Sequence, residues 1–80
     1  MKTITYTLAA DRFLSKIQPQ DRVWIEGKVE RYALTGEGDV KAMTGSPTFR
    51  LRVGPFRVIF TETLVVLDVL DVGHRSNIYR

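Results

Sequence analysis

The sequence predicts an α+β domain with the order β-α-α-β-β-β, in which a two-helix hairpin packs on one face of a small, antiparallel-rich sheet. Three observations point there. Residues 3–8, TITYTL, alternate apolar and polar at period two. Residues 9–34 switch to helical spacing, and residues 48–72 return to period two in three runs separated by turn residues.

The first run places Ile4, Tyr6 and Leu8 on one side and three threonines on the other, the pattern of a half-buried strand. Residues 9–17, AADRFLSKI, read as a short helix with Phe13 and Ile17 four apart on one face and Leu14 beside them. Pro19 is expected to stop it. A second helix is expected to begin near Asp21 as N-cap and to run to about Leu34, with Ile25, Val29, Tyr32 and Ala33 on one face. Gly27 costs about 1 kcal/mol relative to alanine inside a helix, which suggests a close helix–helix approach. Residues 35–47, TGEGDVKAMTGSP, are glycine-rich and polar and read as a loop.

After the loop, TFRLRV sets Phe49, Leu51 and Val53 against Arg50 and Arg52. Gly54-Pro55 makes a turn. FRVIF then directs Phe56, Val58 and Phe60 inward, with Arg57 and Ile59 opposite. LVVLDVLDV is the most apolar strand and is expected to be central, although Asp68 and Asp71 interrupt it. These two carboxylates are candidates to pair with Arg50, Arg57 or Arg75. The last residues, GHRSNIYR, read as an extended tail or short final strand. The three C-terminal strands should form an antiparallel meander.

Composition narrows the function classes. Eighty residues make one domain, residues 1–80. A chain this short buries only about 60% of the surface its unfolded form exposes. It has no cysteine, and His74 is its one histidine, so neither a disulfide nor a Cys/His zinc site is available. Stability must come from apolar packing, helped by a partner where the core falls short. No apolar run approaches the roughly 20 residues that span a bilayer. The N-terminus MKTITYTLAA is too polar for a signal-peptide core. The expected location is the cytoplasm, with no membrane partner. GxGxxG, P-loop, HExxH and EF-hand patterns are absent, and a serine hydrolase is excluded by the lack of a nucleophile elbow. Net charge is +3 and the pI is about 9.6, basic but not extreme. The choice of cation is more informative. Every lysine lies at or before Lys41, and every later basic residue is arginine: Arg50, Arg52, Arg57, Arg75 and Arg80. Arginine presents a planar fork of donors that matches phosphate oxygens and keeps its charge.

Residues 49–80 carry a further pattern: alternating Arg50/Arg52, Gly54, Phe56-Arg57-Val58-Ile59, then Val72-Gly73-His74-Arg75 and Tyr79. Over these two-fifths of the chain the sequence resembles the C-terminal half of the RelE/ParE toxins, and the strand–helix–helix start follows the same family order. The resemblance implies the toxin of a type II toxin–antitoxin module, with a cognate antitoxin as partner and a toxin–antitoxin hetero-oligomer as its assembly. RelE-like members cut mRNA on the ribosome and use neither metal nor cofactor. ParE-like members share the scaffold and inhibit DNA gyrase, and both targets stay open for this sequence.

In the RelE-like case the resemblance assigns the scissile phosphate to Arg57 and Arg75 and the attacking 2′-hydroxyl to Tyr79; His74, by its side-chain type, is the candidate acid. Arg50, Arg52 and Arg80 would bind phosphate or RNA. Several RelE-type toxins carry lysines where Arg50 and Arg52 stand, and arginine is a poor proton carrier, so these two would bind rather than transfer protons. Each residue also has a plainer reading. Arg50 and Arg52 fit a solvated strand face, His74 a structural role, Tyr79 a packing role at the sheet edge, and Trp24 helix packing or a partner surface.

Overall fold

The computed structural model describes residues 2–75. It is an α+β fold of two helices on one face of a five-stranded sheet: β1 (Thr3–Tyr6), α1 (Leu8–Lys16), α2 (Pro19–Thr35), β2 (Asp39–Ala42), β3 (Phe49–Val53), β4 (Phe56–Glu62) and β5 (Val66–His74). The strand order is β1-β5-β4-β3-β2. β1 runs parallel to β5, and the other three pairings are antiparallel. The expected C-terminal meander is therefore β3-β4-β5. The apolar strand β5 is interior, with a neighbour on each side, while β4 occupies the middle of the sheet.

The element ends follow local chemistry. Thr7 caps α1, its hydroxyl accepting from the Ala10 amide at 3.2 Å, while its own amide donates to the Val69 carbonyl at 2.9 Å. The chain thus leaves the sheet and enters the helix in one residue. α1 turns Ala10 and Leu14 fully into the core, with Phe13 and Ile17 partly buried beside them. The helix ends ahead of Pro19, as expected, at Lys16, but Pro19 has a second role. It opens the next one, at the first-turn position where its missing N–H is no loss, and Gln18 rather than Asp21 is the N-cap. α2 buries Ile25, Val29 and Ala33 and ends at Gly36, whose φ of 78° lets its amide reach the Tyr32 carbonyl at 2.8 Å. Gly27 marks no close approach, because a Cβ there would meet open space.

The segment expected to be a loop contains β2. Asp39–Ala42 adds an edge strand to β3. Its four residues, DVKA, alternate like the other strands, but the flanking glycines hid so short a run.

The β4–β5 ladder is irregular. Ile59 pairs with Asp71, yet Phe60 pairs with Val69, so β5 bulges at Leu70. Before the bulge Leu67 and Val69 face the helices. After it Val72 does so, opposite Val58. Asp68 and Asp71, three residues apart, both fall on the face away from the helices. A regular strand would have driven one of them into the core, at a cost of several kcal/mol.

The core lies between the helices and the sheet, with Leu14, Ile25, Val29, Leu51, Val58, Phe60, Leu67 and Val69 almost wholly inaccessible. Each such side chain is worth about 1.5–3 kcal/mol of burial. Phe60 stacks on Phe49 with centroids 5.6 Å apart and tilts against Tyr32 at 5.3 Å. Beside it the Tyr32 hydroxyl donates to Glu62 at 2.6 Å, and Lys2 closes an ion pair on the other carboxylate oxygen. Burial pushes the Glu62 carboxyl up, but the hydrogen bonds from Lys2 and Tyr32 outweigh it and hold the group below its ordinary value. At the opposite end Trp24 lies over the β3–β4 turn, edge-on to Phe56 at 6.5 Å.

Two outcomes are expected. Gly54 has φ +55°, and a Cβ on it would stand 2.3 Å from the Trp24 ring. Gly54→Ala should therefore cost at least about 1–3 kcal/mol of backbone strain. A Trp24→Ala background should remove only the steric part of the loss, read as non-additivity in urea unfolding. For Glu62, a lowered folded pKa means that its stabilisation is present above the unfolded carboxylate value of about 4.3 and is lost as pH falls through the folded value. The stability gap between wild type and Glu62→Gln should narrow on acidification from pH 7 to pH 3.

Candidate nucleic-acid interface

The face of the sheet away from the helices is divided by charge. Register places Lys41 of β2 opposite Arg50 of β3, and Arg52 of β3 opposite Arg57 of β4. Directly opposed residues of an antiparallel pair share a face, so these four cations stand together. On the other half Asp68 accepts a hydrogen bond from the Thr5 hydroxyl at 2.8 Å, and Asp71 accepts one from the Val72 amide at 2.9 Å. Neither carboxylate forms an ion pair with an arginine among the described residues. The partnership expected from the sequence is absent there: register sets Asp68 opposite Thr61 and Asp71 opposite Ile59, neither opposite an arginine.

Arg57 differs from its neighbours. Its side chain, expected on a solvated face, is only 5% exposed. Its Nη1 donates to two carbonyls at the β3–β4 turn, Phe56 at 3.2 Å and Gly54 at 3.4 Å. Its Nε is buried with no hydrogen-bond partner. Across the ladder on one side stands Gly73, which has no side chain, and on the other stands Arg52. A buried guanidinium with a free donor and a like charge beside it is costly in the free protein. An anion at this position would remove that cost.

The remaining candidates are distributed as follows. Arg50 is half-buried and Arg52 exposed. Arg52 has one counter-ion, Asp39, at 3.7 Å and at an exposed position, where such a pair is worth little. Arg75 follows β5, exposed, with its amide donating to the Pro55 carbonyl at 2.8 Å, which holds the chain beside the turn that precedes Arg57. His74 is not on the arginine face. It pairs with Phe56, and its ring meets that phenylalanine edge-on at 6.1 Å on the helix side. Period two counted from Leu67 and Val69 would put His74 beside the arginines, and the bulge reverses it. Tyr79 and Arg80 lie outside the described residues. The two described tyrosines are on the helix side and are poor bases, both pushed up to about 12: Tyr6 by burial and by Glu26 and Glu30, Tyr32 by burial and its bond to Glu62. Among the described residues no cluster of His, Cys, Asp or Glu could hold a metal ion, and no helix is long and apolar enough to cross a membrane.

Lys41 is the member of this group of cations that sequence reasoning missed. The signal was Val40, an apolar residue flanked by Asp39 and Lys41 at strand spacing, within a segment dismissed as loop.

No family model and no curated protein matches the chain. Solved structures do. A chain of the RelB–RelE antitoxin–toxin complex from Methanococcus jannaschii superposes with a TM-score of 0.76 at 21% identity, over 94% of each chain. The archaeal RelE–RelB complex from Pyrococcus horikoshii gives 0.77 at 16%, over 95% of this chain and 97% of that one. A YoeB/ParE toxin from Agrobacterium tumefaciens gives 0.73 at 15%, over 92% and 98%. The fold is that of the RelE/ParE-like toxins.

The strain at Arg57 is measurable. Arg57→Met keeps most of the side-chain volume and removes the buried charge, so the free chain should be as stable as wild type or more stable by up to about 1–3 kcal/mol. Inorganic phosphate should raise the melting temperature of wild type more than that of the variant. A clear loss of stability in Arg57→Met would assign the side chain to packing instead.

Proposed function

We propose that this chain is the toxin of a type II toxin–antitoxin module and that it inhibits translation by cleaving mRNA on the ribosome without a metal. The observation that carries this reading is the buried, under-partnered Arg57 guanidinium at the middle of an arginine-rich sheet face. Cleavage of RNA by its own 2′-hydroxyl forms a 2′-oxygen–phosphorus bond and breaks the bond to the 5′-oxygen. It needs a base at the first oxygen, cations at the pentacoordinate phosphorus, and a proton for the leaving oxygen. Arg57 is suited to the phosphorus because it is already desolvated, and a charge in such a site acts more strongly than one in water. Arg75 would close on the same phosphate, Arg50 and Arg52 would hold the flanking backbone together with Arg80, and Tyr79 would orient or deprotonate the 2′-hydroxyl. The position of His74 on the helix side leaves the acid to another group or to the ribosome-bound substrate.

The partner in this reading is an antitoxin. The matched archaeal structures are complexes of RelE with RelB. This chain exposes Leu8, Val23, Leu34, Leu64 and Val65, an apolar surface that a wrapping segment could cover, while acidic residues of that segment neutralise the arginine face.

One observation favours a second reading, inhibition of DNA gyrase without catalysis. The described arginine face lacks His74, whose ring lies on the helix side against Phe56. Induction of the chain separates the two, since mRNA cleavage and altered DNA supercoiling differ in which comes first. Under the nuclease reading Arg57→Ala, Arg75→Ala and Tyr79→Phe should each lower cleavage by about 10²–10³ and relieve growth arrest, with antitoxin binding retained. Leu51→Ala, at a site 2% exposed, should instead lose toxicity through a stability cost of about 2–5 kcal/mol. Full toxicity in a folded Arg75→Ala/Tyr79→Phe variant would reject the nuclease reading.

A further inference from the structure

The edge of the arginine face holds a second place for an anion. Lys41 and Arg50 are directly opposed across the β2–β3 ladder. Like charges in that relation are destabilising, and among the described residues neither has a carboxylate at ion-pair distance. Arg52, by contrast, has Asp39. Between the two uncompensated cations and the following loop lies a cavity of about 320 Å³ lined by Lys41, Ala42, Met43, Thr44 and Arg50. Its loop wall is tied in place, with the Met43 amide donating to the Thr48 carbonyl at 3.0 Å and the Thr48 hydroxyl to the Met43 sulfur at 3.4 Å. The lining combines two cations with the strand-edge and loop residues Ala42, Met43 and Thr44.

Position relates this cavity to Arg57. From Arg57 the row of cations steps one strand to Arg52, along β3 to Arg50, and one more strand to Lys41. Each interstrand step is about 4.8 Å, and the step along β3 is about 6.7 Å. The row therefore crosses the sheet diagonally, as a track for one extended polyanion rather than a single pocket.

We propose that Lys41 and Arg50 bind the phosphate of a neighbouring nucleotide of the same single strand whose scissile phosphate sits at Arg57, with its sugar or base in the adjoining cavity. This rests on the RNA-cleaving reading above and adds a residue and a subsite to it. Lys41 is a binding residue: it gives the phosphate held at Arg50 a second cation and walls the cavity beside it.

The test uses the free chain and single-stranded 2′-O-methyl RNA oligonucleotides of increasing length, which cannot be cut through the 2′-oxygen. Single-strand binding weakens with salt by about 0.7 in log–log slope for each phosphate neutralised. In Lys41→Gln/Arg50→Gln the slope should be shallower by about 0.7, and the affinity gained on adding the neighbouring nucleotide should disappear. Lys41→Arg, with Arg50 in place, should keep both at the wild-type values. Lys28→Gln, at an exposed position on α2, should change neither. A wild-type chain that binds no RNA overturns the RNA reading and this subsite together. RNA binding by wild type with an unchanged slope in the double variant overturns the subsite alone. So does a loss confined to affinity for an acidic antitoxin segment, which would make this end of the face a protein contact.

Discussion

The register of β5 against β4 is the constraint on which the rest depends. β5 joins the two ends of the chain, pairing with β1 in parallel on one side and with β4 in antiparallel on the other. A single bulge at Leu70 changes which residues of β5 face the helices. Leu67, Val69 and Val72 can all be buried only because of it, and Asp68 and Asp71 can both be solvated only because of it. The same shift sets Gly73 opposite Arg57 and turns His74 to the phenylalanine side. One extra residue in a ladder thus decides the composition of both faces.

The two faces then have opposite relations to stability. On the helix side apolar groups are closely packed, and the partly buried Glu62 carboxylate is satisfied by Lys2 and Tyr32. On the open side like charges are opposed twice, Arg52 to Arg57 and Arg50 to Lys41, with one weak counter-ion between them. Stability gained on the first face offsets strain on the second. In a small domain that balance is narrow. A ligand carrying negative charge would relieve the strain on these four side chains.

Much of this was legible in the residues. Period two in TITYTL, FRLRV and FRVIF requires strands with one apolar face, because only that register removes the apolar side chains from water. The same rule sends Arg50, Arg52 and Arg57 to the other face. The spacing of Ile25, Val29 and Ala33 specifies a helix lying on the sheet. The glycine between β3 and β4 implies a tight turn, and the turn makes Arg52 and Arg57 neighbours. Helix ends were less legible: proline is equally compatible with stopping one helix and starting the next, and only packing against the sheet showed that Pro19 also does the second.

By itself, then, the sequence determined the class of fold, the apolar faces of α2, β3 and β4, and the arginine content of the open face. All three follow from local periodicity and from the cost of burying charge. Tertiary structure alone decided the rest. β2 exists because Asp39–Ala42 finds β3 as a partner, since four residues have no strand stability of their own. Its pairing brings Lys41 to Arg50. The burial of Arg57 depends on what stands across the ladder from it, Gly73 on one strand and Arg52 on the other. The side on which His74 emerges depends on a bulge, and a bulge is a mismatch between two strands, which neither strand's residues encode separately.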